Sequence, residues 1–138
     1  MCRCSEKWQQ YAPLALRLVI GVTFILAGWM KIQGGVETTA GFFAGVGIPA
    51  ATFFAIIVMW LEFLGGIALI LGFLTHWVAK LLAIVMVVAI FTVHIKNGFF
   101  APAGVQLPLT LLAGLISLMI TGPGKWALDN RLAKDTVG

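Results

Sequence analysis

Four apolar stretches, 14–32, 50–74, 78–95 and 107–121, constrain this chain more than any motif does. Each approaches the ~20 residues that a helix needs to cross the hydrocarbon of a bilayer, the last being the shortest. None shows the in-out alternation of a barrel strand, and a helix satisfies its own backbone in lipid. The expected fold is therefore an all-α, four-helix transmembrane bundle. Composition supports this, with 61% hydrophobic and 10% charged residues among 138 and a mean hydropathy of +1.05. A soluble domain does not have that balance. The membrane domain spans 14–126, and 1–13 and 127–138 are short cytoplasmic tails.

Glycine and proline punctuate the runs. Gly34 and Gly35 end the first helix, Pro49 opens the second, a tight turn at Thr75-His76 leads to the third, and Gly122-Pro123-Gly124 closes the fourth. Between Gly34 and Pro49 the chain reads as a short interfacial helix or a loop on the outer surface. No A-x-A-like site follows the first run, so it is expected to be a retained span rather than a cleaved signal. Arg3, Lys7, Arg17, Lys80, Lys125, Arg131 and Lys134 fall on one side and only Lys31 and Lys96 on the other. That asymmetry places both termini inside, with Trp8, Tyr11, Trp77 and Trp126 as the inner aromatic belt and Trp29 at the outer one. Topology thus explains the formal charge of +4 and leaves no reason to expect nucleic acid as a partner. Cys2 and Cys4 read as free thiols in a tail, without an assigned role, and no metal site is evident.

Glu62 is the anomaly, a carboxylate near the middle of the second span. An unpaired charge there is costly, so it requires a partner or a task. Arg17, Gly21, Phe24, Gly28 and Lys31 share one stripe of the first helix, and Glu62, Gly65, Gly66 and Gly72 share one of the second. Small residues at those positions, with Gly114 on the fourth helix, allow close helix approach. Two cations compete for Glu62. By backbone depth Arg17 is nearer, ~7 Å against ~13 Å for Lys31 at ~1.5 Å per residue. Side chains lean toward a helix N-terminus, which tips Lys31 toward Glu62 and Arg17 away from it. The expected cluster is Glu62, Lys31 and His94, opening outward, with Arg17 as the second candidate. Phe24, Trp60 and Phe91 are candidate walls. One side of helix three (Lys80, Ile84, Val87, Phe91, His94) and one side of helix four (Thr110, Gly114, Ser117, Thr121) are expected to line a polar seam. Snorkelling of Arg17 and Lys31 to the two interfaces, and an interfacial His94 bonded to water, are the plainer alternatives.

The string ALRLVIGVTFILAGWMKI, then GIPA, LEFLGGIALILGFLT, a histidine near the end of helix three and TGPGKWALD, resembles the DoxX family of small four-helix membrane proteins. The resemblance runs through almost the whole chain in order. It implies a bacterial or archaeal plasma-membrane protein, with Arg17, Gly28, Lys31, Glu62, Gly66, Gly72 and His94 at the family's recurring positions. It also implies a tie to redox systems, some relatives being membrane subunits of thiosulfate:quinone oxidoreductase. Two functions stand open on these grounds. One is a quinone-interacting subunit or accessory of an oxidoreductase, with Glu62 or His94 handling protons. The other is a non-catalytic scaffold or small-solute permeability factor whose Glu62 is structural. No C-x-x-C is present, and His76 and His94 lie near opposite ends of helix three, too far apart to share a haem. Quinone is the only cofactor the resemblance brings in; the expected partners are the bilayer, a redox enzyme subunit and a second copy of the chain.

Overall fold

The computed structural model describes residues 8–100 and 102–135. Its elements are α1 (Ala12–Gly34), α2 (Val36–Gly45), α3 (Ala51–Leu71), α4 (Thr75–Ala89), α5 (Gln106–Thr121) and α6 (Leu128–Asp135). A π turn, Ile90–His94, and a 3₁₀ turn, Ile95–Asn97, extend α4. Three helices, Ala12–Gly34, Ala51–Leu71 and Thr75–Asn97, are long and apolar enough to cross a membrane. The fourth, α5, has 16 residues. At ~1.5 Å per residue it covers about 24 Å, less than the ~30 Å hydrocarbon thickness. Together the four form the all-helical bundle, and no strand occurs among the described residues.

The boundaries have local causes. α1 carries Pro13 in its first turn, where no backbone N–H is needed. α3 stops at Leu71 because Gly72 adopts a left-handed φ of 69°. The Gly72 N–H then donates to Leu69 and the Phe73 N–H to Ala68, closing the helix end. The second span is thus shorter than the hydrophobic run, and the reversal occupies Gly72 to Leu74 rather than Thr75-His76. α4 already starts at Thr75. Leu74 offers no capping side chain, and a distant one replaces it: the Asp129 carboxylate accepts the Leu74 N–H at 2.7 Å and the Thr75 N–H at 2.9 Å. Residues between the first two spans form a true helix, α2, seated on α3 through Ala40, Phe43 and Ala55.

Packing follows two devices. Ile20 and Phe24 of α1, Leu69 of α3, Ala79, Leu82, Ala83 and Met86 of α4, and Leu115 and Leu118 of α5 make one apolar core. It fills the half of the bundle toward the chain termini. α1 and α3 run antiparallel at unusually short range, because glycines replace side chains at each crossing point. A Cβ on Gly28 would lie 2.5 Å from the Phe63 nitrogen, and one on Gly66 would lie 2.6 Å from the Gly21 oxygen. Lipid tails are as apolar as the helices, so this close backbone contact supplies attraction that burial cannot.

Candidate functional site

The α1–α3 contact brings Lys31 to Glu62 and Arg17 to the end of α3. Directly beyond the Gly28–Phe63 crossing, the Lys31 ammonium forms an ion pair and hydrogen bond with Glu62 Oε2. Glu62 is 3% exposed, whereas 28% of the Lys31 side chain remains accessible. The carboxylate is sealed inside and the ammonium faces partly out. Phe63, next to Glu62, is flanked by Trp29 at 6.1 Å and Trp60 at 6.5 Å between ring centroids. Both indoles are about half exposed, so Trp29, Phe63 and Trp60 form an aromatic cluster on the flank of the α1–α3 crossing, two helical positions or fewer from the pair along the chain.

Arg17 does something different. It is fully buried, and its donors go to backbone carbonyls rather than to a carboxylate. Nε donates to Leu69 at 2.8 Å and Nη2 to Ile70 at 2.9 Å. Nη1 donates to Pro123 at 2.5 Å and, more weakly, to Lys125 at 3.3 Å. The first two acceptors lie in the last turn of α3, where carbonyls lack i+4 partners, Leu69 having only the Gly72 N–H, and the dipole favours a cation. The planar fork therefore ties the end of α3 to the segment before α6, which a point charge cannot do. A Cβ on Gly72 would lie 2.8 Å from the Arg17 Cζ and 2.5 Å from the Ala127 Cβ, so glycine makes room for this clamp. Arg17 is accordingly not a partner of Glu62.

Several other expected site residues are placed elsewhere. His94 donates its Nδ1–H to the Ala89 carbonyl at 2.9 Å, within the π turn, and is joined neither to Glu62 nor to Lys31. Phe24 is buried in the apolar core and cannot wall a pocket. Phe91 is 65% exposed on the outer face of α4, together with Ile84 and Val87. Thr110 and Thr121 return their hydroxyls to Gln106 and Ser117 of their own helix at 2.8 Å. The expected polar seam of helices three and four does not form, because a threonine satisfied at i−4 needs no facing helix and the broader apolar faces take the interior. Trp60 is half exposed and packs on Phe63, so it does not form an inner wall. Gly65 meets Leu82 and Val78 of α4, and Gly114 meets Ile20 of α1, so both serve helix packing.

Asp129, Trp29 and Phe63 were not among the expected site residues. Asp129 lies just past Gly122-Pro123-Gly124, and the uncapped Leu74-Thr75 start of α4 is the signal that matches it. Two open cavities, of about 320 and 280 Å³, lie at the opposite end of the bundle from Lys31, around Gln10, Lys125 and Trp126 and around Trp8 and Tyr11. Among the described residues no three His, Cys, Asp or Glu side chains gather as metal ligands. Cys2 and Cys4 lie outside the described residues.

These features define a small polytopic membrane protein in which, among the described residues, a sealed carboxylate is paired with a partly exposed ammonium and a buried guanidinium clamps two segments. The chain belongs to the DoxX family, whose sequence model matches residues 12–95. It is 36% identical to the uncharacterized membrane protein Rv3486 of Mycobacterium tuberculosis, over 88% of this chain and 81% of that one. It is 34% identical to the inner membrane protein YqjF of Escherichia coli, over 94% and 98% of the two chains. A Bacillus subtilis relative, 35% identical over 87% and 86%, bears the name "Putative oxidoreductase CatD". No solved structure matches the chain.

Proposed function

We propose that this protein is a quinone-interacting subunit or accessory of a membrane redox system, resident in a bacterial or archaeal cell membrane with both termini in the cytoplasm. The observation that carries the reading is the asymmetric exposure of the Lys31–Glu62 pair. An ammonium fixed by a sealed carboxylate is an oriented donor for a carbonyl oxygen, and the half-exposed indoles of Trp29 and Trp60 offer apolar surface on the same two helices. The headgroup carbonyl takes a hydrogen bond from Lys31, and Glu62 holds the ammonium in place. Reduction to the quinol needs two electrons and two protons; the electrons come from a docked redox enzyme and the protons from water reaching the exposed side of Lys31. The name of the Bacillus subtilis relative lies in the same direction.

Binding is measured by quenching of Trp29 and Trp60 fluorescence as a short-chain quinone is titrated into the full chain in nanodiscs. Lys31→Met and Glu62→Gln are expected to weaken it about tenfold or more, the equivalent of one lost charged hydrogen bond. Unchanged affinity in both folded variants refutes the reading. Near-complete burial of Glu62 favours the second reading, a scaffold or small-solute permeability factor in which the pair only joins α1 to α3. In that case Glu62→Gln lowers stability in detergent and leaves quinone binding at the wild-type level.

A further inference from the structure

The end of the bundle opposite Lys31 carries a second site built from other residues. The larger cavity, about 320 Å³, is bordered by Gln10, Lys125, Trp126, Asn130, Arg131 and Lys134. Its size falls within the range of small-molecule sites. The last three of those residues recur at helical spacing, so one face of α6 supplies Asn130, Arg131 and Lys134 while Leu128 and Leu132 occupy the neighbouring face. Lys125 is held in place, donating to the Tyr11 hydroxyl at 2.8 Å with its ammonium 4.8 Å above the Tyr11 ring. Asn130 is likewise fixed by its bond to the Gly124 carbonyl at 2.6 Å. Asp129, on the same helix, is turned to the Leu74 and Thr75 amides, and among the described residues it forms no ion pair with Lys125, Arg131 or Lys134.

We propose that this groove binds the phosphodiester headgroup of an anionic phospholipid, with Arg131 and Lys134 as its principal cationic contacts and Lys125 as a fixed third. Charge complementarity selects an anion. The surrounding apolar surface selects a lipid over a soluble acidic protein: Trp8 and Trp126, which flank Tyr11, are 70% and 72% exposed. Indoles at that level lie among headgroups, where amphipathic rings partition, and would be an unfavourable surface to leave in water. Arg131 offers a planar fork for two phosphate oxygens, whereas Lys134 and Lys125 act as point charges.

The test uses the purified full chain in a mild, lipid-free detergent, titrated with phosphatidylglycerol or with phosphatidylcholine of the same acyl chains and read by native mass spectrometry. Phosphatidylglycerol is expected to be retained over phosphatidylcholine. Arg131→Gln with Lys134→Gln should weaken it roughly thirtyfold, at ~1 kcal/mol for each surface cation and 1.4 kcal/mol per decade. Arg131→Lys with Lys134→Arg, which keeps the charge and the helix, should retain the preference, as should Lys96→Gln at the other end. Equal retention of the two lipids, or wild-type binding by the double glutamine variant, overturns the proposal. So does saturation by inorganic phosphate alone at the lipid's affinity, which assigns the site to a free anion. Displacement of the lipid by a heptaglutamate peptide at lower concentration also overturns it and assigns the face to an acidic protein.

Discussion

Replacing Arg17 with methionine separates a structural guanidinium from a functional one. Three of its hydrogen bonds are 2.9 Å or shorter, and a fourth, at 3.3 Å, shares Nη1. Hydrogen bonds involving a charged group are worth ~1.5–3 kcal/mol net each, so the gross loss is large. Methionine recovers much of the apolar packing, and the Leu69 carbonyl keeps its bond from Gly72. We therefore expect about 3–5 kcal/mol, the range for opening a buried charged network. Arg17→Lys should recover only part of that, because one ammonium cannot reach both the end of α3 and the segment from Pro123 to Lys125. Reversible unfolding in mixed micelles gives the magnitude, and trypsin cleavage after Lys125 and Arg131 reports release of the α6 segment. A loss below about 1 kcal/mol with unchanged protection of that segment would refute the clamp. A double-mutant cycle with Glu62→Gln supplies an independent check: coupling above about 0.5 kcal/mol would mean that the two groups interact after all.

Two further outcomes follow from the packing. Gly28→Leu should push α1 from α3, cost at least ~1–3 kcal/mol by overpacking and break the Lys31–Glu62 pair, whereas Gly41→Leu, whose Cβ meets nothing within 4 Å, should be close to neutral in the same unfolding assay. Equal effects of the two would contradict the close crossing. Asp129→Ala should cost about 1 kcal/mol as a lost cap and speed hydrogen exchange at the Leu74 and Thr75 amides by about fivefold, and unchanged exchange there would remove Asp129 from that role.

The sequence by itself determined the class of fold, since lipid admits few ways to satisfy a backbone and the apolar runs have helical length. The glycine positions and the lean of helical side chains also pointed Glu62 toward Lys31 before any coordinates, because both are properties of a single helix. What only the tertiary structure decided was which faces turn inward. Phe91 and Trp60 lie outward and Phe24 fills the core, since all faces of a membrane helix are apolar and periodicity loses its contrast there. The start of α4 shows locally only that a cap is missing: the cap comes from Asp129, 54 residues from Thr75, and Arg17 bonds carbonyls 52 and 106 positions away. Backbone carbonyls carry no residue identity, so a cation that uses them as partners leaves no pattern to read along the chain.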